Sequence, residues 1–286
     1  MEEMFDLVIF DEASQCFAER GIPAMYRGKQ VVIAGDDKQL QPNDLYRVRW
    51  EDDDEEDTPE LEVDSLLSLA KQSLLETSLR GHYRSKALEL IEFSNVNFYD
   101  GKLKLLPEYH KEKSQKPAIE YLKTDGIWEN NSNQKEAGIV VNMIETIANR
   151  SPEKSIGVVT FNVTQQAVIL DLIDERLDTG KFNLPPSLFV KNIENVQGDE
   201  RDIIIFSTAY APDEEGKIQL RFGSLNQAGG ENRLNVAITR AREQIYIVTS
   251  LLPHQLNTEN TSNPGPKLLK AYLQYAKSVS DGSWKP

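Results

Sequence analysis

Residues 233–249 read RLNVAITRAREQIYIVT and combine two patterns. Apolar side chains recur at helical spacing over residues 233–242, whereas residues 244–249 form an apolar run typical of a strand. Similar strands and helices alternate upstream, which indicates an α/β fold with a mostly parallel sheet. The upstream segments are predicted strands at 118–122, 155–161, 188–190 and 203–208, and predicted helices at 136–148 and 165–177.

Two further apolar runs, residues 6–10 and 31–34, indicate strands that are buried on both faces of a parallel sheet. Residues 48–62 are acidic and lack periodicity, which predicts a solvated linker. We therefore expect two domains, residues 1–73 with this acidic linker and residues 74–286. Helices are also predicted at 65–70, 85–98 and 268–276, the second of them with Ser85 as its N-cap.

The composition, 39% hydrophobic and 27% charged over 286 residues, is that of a globular protein. No apolar run reaches the roughly 18–20 residues that span a bilayer, so we expect no membrane partner and a cytoplasmic location. The single cysteine, Cys16, excludes an internal disulfide. The three histidines, His82, His110 and His254, are not spaced as metal ligands.

The net charge of −14 argues against a protein that simply coats nucleic acid, because such proteins are usually basic. Residues 51–57 are seven consecutive acids, so half of that charge lies in one segment. We favour a solvated loop for this run. The alternative is an electrostatic gate that mimics nucleic acid and occupies its groove.

Two acids, Asp11 and Glu12, directly follow the first predicted strand. Ligands bind at the carboxyl ends of strands in open α/β sheets, so Asp11 is placed to bind Mg²⁺ and Glu12 to deprotonate an attacking water. A short motif of this kind also arises by chance. Residues 35–42, GDDKQLQP, follow the next strand, and Gln39 can sense a terminal phosphate there unless the segment is an ordinary polar turn.

The remaining candidates are arginines and acids near other predicted elements. Arg84 stands just before the predicted helix at 85–98, where a guanidinium can reach a phosphate with a bidentate fork. Residues 197–202, QGDERD, hold three acids, of which we expect at least one to bind hydroxyls or a partner arginine. Arg240, near the end of the predicted helix at 233–242, is a candidate arginine finger. The alternative for both arginines is an ordinary solvent-facing position.

In this order the segments resemble motifs II, III, IV, V and VI of superfamily 1 helicases. The resemblance is to the branch that contains the nonsense-mediated-decay helicase and large bacterial relatives, and it implies a RecA-like P-loop NTPase fold. Residues 1–73 would then be the tail of the first motor domain, and residues 74–286 a complete second one. The matching patterns are Gly-Asp-x-x-Gln-Leu-x-Pro at 35–42, His-Tyr-Arg-Ser at 82–85, Gln-Gly-x-Glu-x-Asp at 197–202 and Asn-Val-Ala-x-Thr-Arg-Ala-Arg at 235–242.

The resemblance implies catalytic roles for five residues. Asp11 would bind Mg²⁺, and Glu12 would be the catalytic base. Gln39 would contact the γ-phosphate of ATP and couple it to movement. Arg84 and Arg240 would reach the same phosphate from the second domain.

It also implies a function for the whole protein, that of an ATP-dependent helicase or translocase. Such a protein uses ATP and Mg²⁺ and moves along single-stranded nucleic acid, with DNA preferred here to RNA. Nucleotide would contact Tyr83, Gly198, Glu200 (through the ribose) and Arg242. Asn192 would contact the backbone of the nucleic acid.

No Walker A loop, Gly-x-x-x-x-Gly-Lys-[Ser/Thr], occurs in the sequence. We expect this loop upstream, in the amino-terminal motor half of a longer protein, which would be a partner of this chain. The main alternative is a non-catalytic nucleic-acid-binding or regulatory module that keeps a helicase-like fold. A fused nuclease is a second alternative, but residues 250–286 hold no cluster of acids with a lysine.

The purified chain is expected to hydrolyse ATP negligibly alone, because the phosphate cradle and its lysine are missing from the sequence. Phosphate release from ATP in the presence of Mg²⁺ checks this expectation. Sustained turnover that the Glu12→Gln variant loses would contradict it, whereas turnover that this variant retains would come from a contaminating enzyme.

Overall fold

The computed structural model describes residues 4–42, 65–105, 116–180, 184–218, 222–259 and 261–285. The predicted acidic linker at 48–62, with the acidic run at 51–57, lies outside the described residues. The chain divides into two compact units, Met1–Leu79 and Arg80–Pro286. The predicted assignment of residues 1–73 and 74–286 to two motor domains stays a prediction.

The first unit contains two parallel strands, β1 (Val8–Phe10) and β2 (Val31–Ile33), whose carboxyl ends lie at the same edge. Two helices belong to the same unit, α1 (Ala18–Met25) and α2 (Leu66–Ser73). Apolar side chains from α2 and from the segment after β1 form a small buried core. Its fully or nearly buried members are Ala13, Leu66 and Leu67.

The second unit is built on a five-stranded sheet in the order β5–β9–β8–β6–β7, in which every neighbouring pair is parallel. The expectation of an α/β fold with a mostly parallel sheet is therefore confirmed. The short strands β3 (Gly81–His82) and β4 (Lys104–Leu105) form a separate parallel pair. The sheet strands are β5 (Ile119–Lys123), β6 (Ile156–Thr160), β7 (Phe189–Asn192), β8 (Arg201–Ser207) and β9 (Ala241–Thr249).

Helices cover this sheet, and alternate residues of β8 show which helix lies on which face. Ile205 shares a buried core with Ile144 and Ile169, whereas the ring of Phe206 lies 6.4 Å from that of Tyr272. Successive strand residues point to opposite faces, so α4 and α5 lie on one face and α7 on the other. The helices are α3 (Glu92–Phe98), α4 (Gln134–Arg150), α5 (Val163–Asp178), α6 (Gly230–Ile238) and α7 (Pro264–Ser280). Within the described ranges, none of the helices is both long and apolar enough to cross a bilayer.

The predicted helix at 233–242 was wrong at both ends, because α6 runs from Gly230 to Ile238. At its end the Thr239 hydroxyl donates to the carbonyl oxygen of Asn235 at 2.9 Å. Arg240 Nε donates to the carbonyl oxygen of Val236 at 2.8 Å. These side chains satisfy the last carbonyl groups of α6 and end it. Arg240 therefore lies in the connection to β9, and Arg242 lies on β9 itself.

The predicted helix at 85–98 was also wrong in its first half. A short 3-10 turn at Leu88–Leu90 precedes α3, and Ser85 is not a helix cap. The backbone nitrogen of Lys86 instead donates to the carbonyl oxygen of Arg242 at 2.8 Å. Ala87 has an extended backbone, at φ −128° and ψ 144°, which excludes a helix that starts at Ser85.

A buried carboxyl, Glu136 of α4, organises the carboxyl edge of the large sheet. Its Oε1 accepts hydrogen bonds from the hydroxyl of Ser207 at 2.9 Å and from the backbone nitrogen of Ala209 at 2.7 Å. The second of these bonds holds Ala209 in the left-handed region, at φ 63°. The side chain is fully buried, and burial raises the pKa of Glu136 to about 8.

Glu136 makes the free energy of unfolding fall as the pH rises from about 4.5 to about 8. In this window the native state holds a proton that the unfolded carboxyl has already released, so deprotonation favours unfolding. Urea unfolding at pH 5 and pH 8 is expected to show a drop on the order of 2–4 kcal/mol that Glu136→Gln lacks.

The matched control is Glu145→Gln, which alters a more exposed carboxylate of the same helix, paired with Arg176 at 2.9 Å. This control should keep the drop seen in the parent chain. An equal drop in Glu136→Gln and in the parent chain would contradict the assignment.

Candidate nucleotide-binding site

In the first unit, the two predicted acids follow β1 directly and are exposed. Asp11 Oδ1 accepts a hydrogen bond from the backbone nitrogen of Glu12 at 2.9 Å. Glu12 has a left-handed backbone, at φ 52°, and a short 3-10 helix, Ala13–Gln15, follows it. This bend carries both carboxylates past the carboxyl end of β1.

The loop after β2 is fastened to the loop after β1. The backbone nitrogen of Ala13 donates to the carbonyl oxygen of Ala34 at 2.8 Å. A Cβ atom on Gly35 would lie 3.0 Å from the backbone nitrogen of Ser14, so a larger residue would force the loops apart. Gln39 Nε2 donates to Asp36 Oδ2 at 2.9 Å, which fixes the glutamine within this loop. The structure thus brings together Asp11, Glu12 and the segment that bears Gln39.

In the second unit, Glu200 joins two of the predicted arginines. Its Oε2 accepts from Arg84 Nε at 2.7 Å, and its Oε1 accepts from an NH2 group of Arg242. These two arginines hold the pKa of Glu200 below its usual value, with Arg242 the larger cause. The expectation that at least one acid of residues 197–202 would bind hydroxyls or a partner arginine is confirmed, here by arginines.

A bulge at the start of β9 aims Arg242 at this carboxylate. Arg201 of β8 pairs with Ala241, but Ile203 pairs with Gln244, so β9 has one residue more than β8 in this stretch. Bulges of this kind redirect the side chains that they contain. The site therefore lies at the amino edge of the sheet, where β8 and β9 begin.

Arg84 is presented by a tight turn between His82 and Ser85. His82 Nε2 accepts from the backbone nitrogen of Ser85 at 3.1 Å and lies 2.9 Å from its hydroxyl oxygen. Burial, together with the charge of Arg84, lowers the pKa of His82 to about 4. The imidazole is therefore neutral at pH 7 and can accept this backbone hydrogen bond. His82 was not among the predicted site residues, and its role depends on a turn that the sequence pattern does not reveal.

Arg240 differs from the other two arginines because its side chain is buried, with 3% of the residue exposed. Besides the bond to Val236, its NH2 group donates to the hydroxyl of Thr239 at 3.2 Å and its NH1 group to the carbonyl oxygen of Asp199 at 3.5 Å. Arg240 thus contacts Asp199, the residue that directly precedes Glu200. Its role as an arginine finger stays a prediction.

The other predicted residues occupy diverse positions. Gly198 has φ +81°, and a Cβ there would meet no atom within 4 Å, so its backbone conformation rather than space favours glycine. Tyr83 is 82% exposed. Asn192 ends β7 and accepts from the backbone nitrogen of Glu194 at 3.2 Å, which places it at the carboxyl edge. The structure therefore does not bring Asn192 together with the arginines of the amino edge.

Comparison with known proteins identifies the family. Two models described as AAA domain match residues 63–251 and 1–43. An uncharacterized ATP-dependent helicase of Mycoplasma genitalium is 39% identical, over 97% of this chain and 26% of the relative. The DNA polymerase alpha-associated DNA helicase A of Saccharomyces cerevisiae is 27% identical, over 98% of this chain and 42% of the relative. An uncharacterized ATP-dependent helicase of Methanocaldococcus jannaschii is 23% identical, over 97% of this chain and 39% of the relative.

The chain spans from 26% to 42% of the length of these three relatives. The match at residues 63–251 covers more than half of the chain and includes the arginines and Glu200. The match at residues 1–43 includes both acids that follow β1. The chain therefore belongs to the AAA-domain family of superfamily 1 helicases.

Proposed function

We propose that this chain is part of an ATP-dependent helicase or translocase, one that couples ATP hydrolysis to movement along single-stranded nucleic acid. The observation that carries the proposal is the gathering of Arg84 and Arg242 on Glu200 at the amino edge of the sheet, beside Arg240. Arginines collected near one point are the groups that stabilise the charge of a transferring phosphoryl group. The helicase names of the relatives support the same function.

In this proposal both units supply side chains for ATP hydrolysis, carboxylates from the first and arginines from the second. Glu12 orients and deprotonates the attacking water, and Gln39 reports the γ-phosphate to the rest of the protein. Arg84 and Arg240 neutralise the charge that develops on that phosphate. The remaining nucleotide contacts are assigned to Tyr83, Gly198, Glu200 and Arg242.

The residues after β1 fit a magnesium ion. Oδ1 of Asp11 accepts the Glu12 amide, and the second oxygen of the same carboxylate stands at the exposed end of the strand. Within the described ranges, no group of three or more acids, histidines or cysteines forms a metal cage. Mg²⁺ at nucleotide sites takes one or two carboxylates and fills its shell with water and phosphate oxygens, so a cage is not required. When bound, the ion would neutralise the β- and γ-phosphate oxygens.

Single-stranded DNA is the proposed nucleic-acid substrate, because the yeast relative is named a DNA helicase. Asn192, at the carboxyl edge of the sheet, is the proposed contact with its backbone. The amino-terminal motor half of a longer protein, with a Walker A loop, is the proposed partner of this chain. Two motor halves that close on ATP and open after hydrolysis would alternate their grip on the strand.

The full-length protein is expected to hydrolyse ATP faster when single-stranded DNA is added. Glu12→Gln should lower this turnover by about 10²–10⁴, the usual contribution of a general base, while DNA binding is kept. Phosphate release with and without an oligo(dT) strand measures the first quantity, and fluorescence anisotropy the second. Glu19→Gln, at an exposed acid of α1, is the matched control and should hydrolyse normally. DNA binding without any turnover in the parent protein would instead favour the non-catalytic module.

Arg240→Ala in the full-length protein is expected to lower ATP turnover by about 10³–10⁵, as the loss of an arginine finger does, with nucleotide binding largely kept. Arg240 is buried and bonded at the end of α6, so thermal unfolding must show that the variant is folded. Arg176→Ala, which removes an arginine of α5 paired with Glu145, controls for the loss of a charge. Near-normal turnover in a folded Arg240→Ala protein would remove the proposed role.

A further inference from the structure

A continuous chain of polar contacts links Arg84 to the start of the central strands. The backbone nitrogen and hydroxyl of Ser155 donate to Asp202 Oδ2 at 2.9 and 2.7 Å. Asp202 Oδ1 lies 3.9 Å from Arg242 NH1, and Arg242 NH2 donates to Glu200. Glu200 in turn accepts from Arg84 at 2.7 Å. Arg84 is therefore tied, through Glu200 and Arg242, to the strands of the sheet rather than to its own loop alone.

The two arginines on Glu200 use different edges of their guanidinium groups. Arg242 engages its carboxylates through its two terminal nitrogens, NH1 and NH2. Arg84 engages Glu200 through Nε. An arginine presents five N–H donors in a rigid plane, so a bond through Nε fixes the plane without using the NH1–NH2 edge. That edge is the one suited to a phosphate.

We propose that Glu200 is a positioning residue for Arg84: anchored by Arg242, it holds the guanidinium by Nε and turns the NH1–NH2 edge toward the nucleotide phosphates. The proposal rests on the proposed function because it takes Arg84 to be a phosphate ligand. It is compatible with a ribose contact, because a carboxylate has about four acceptor positions and the two arginines occupy one on each oxygen.

A positioning role and simple charge repulsion predict opposite changes in anion affinity when the carboxylate of Glu200 is removed. A carboxylate near a phosphate site repels the anion, so removing it should strengthen anion binding if charge alone mattered. A positioning role predicts the reverse, because an unheld arginine must lose side-chain freedom whenever it binds. Weaker binding after the loss of a negative charge is therefore the signature of Glu200 as a positioning residue.

The chain provides a matched control at the same edge of the sheet. Glu243, the residue next to Arg242 in the bulge of β9, also joins two cations, Lys86 at 2.7 Å and Lys154 at 2.6 Å. Glu243→Gln therefore removes one carboxylate and two ion pairs from the same region. It leaves Arg84 and Arg242 with Glu200.

The experiment uses the ¹⁵N-labelled chain and inorganic tripolyphosphate, which carries phosphates but neither ribose nor base. The Nε–H signal of Arg84 reports its mobility, and its shift during titration gives the dissociation constant at low ionic strength, where weak anion binding is measurable. In Glu200→Gln we expect increased mobility of Arg84 and binding that is roughly two- to fivefold weaker, the range for one partly exposed ion pair. Glu243→Gln should leave both unchanged or bind slightly more tightly. Glu200→Asp, which keeps the charge on a shorter side chain, should recover part of the loss.

The outcomes separate this inference from the proposed function. If Arg84→Ala weakens binding but Glu200→Gln leaves it unchanged or makes it tighter, the positioning role is overturned and Arg84 keeps its phosphate role. If Arg84→Ala has no effect, the phosphate role of Arg84 in the proposed function fails, and the positioning role fails with it. If Glu200→Gln does not fold, Arg242→Ala carries the same comparison one step further along the chain, because Arg242 anchors Glu200, and unchanged mobility of Arg84 there overturns the proposal.

Discussion

The parallel pairing of β8 with β9 is the constraint on which the candidate site depends. Their register places the start of β8, next to Glu200, beside the start of β9, which carries Arg242. The extra residue in β9 turns two consecutive charged side chains, Arg242 and Glu243, toward separate partners. Backbone hydrogen bonds between strands therefore decide which charges meet. The side chains add bonds of their own only after that geometry is set.

The charged groups at the two edges of the large sheet differ in their exposure to solvent. At the amino edge, ion pairs such as Arg84–Glu200 are partly exposed to solvent and each contributes modestly to stability. At the carboxyl edge, Glu136 is fully buried among hydrogen-bond donors and has a raised pKa. A site that must release and rebind an anion suits the first environment. A segment that must keep one backbone conformation, such as the turn at Ala209, suits the second environment.

Sequence reasoning predicted the alternation of strands and helices because apolar periodicity reflects burial directly. It also predicted that at least one acid of residues 197–202 would bind hydroxyls or a partner arginine, because three acids cannot all face a phosphate. It failed where side chains end a helix, as Arg240 and Thr239 do after α6, since such caps depend on local geometry that competes with the pattern. It did not find Glu136, because a polar residue on an amphipathic helix gives no sign of whether it will be buried. It did not find His82, because the role of that residue depends on a turn that the sequence pattern does not reveal.

The length of β8 has a mechanical consequence. Its seven extended residues run from Arg201, beside the arginine cluster, to Ser207 at the other end, a span of about 20 Å. Charges that far apart in salt solution are screened from each other beyond about 10 Å. Ligands exposed to solvent at the two ends would therefore influence one another through tilting or shifting of the whole sheet rather than by direct charge interaction.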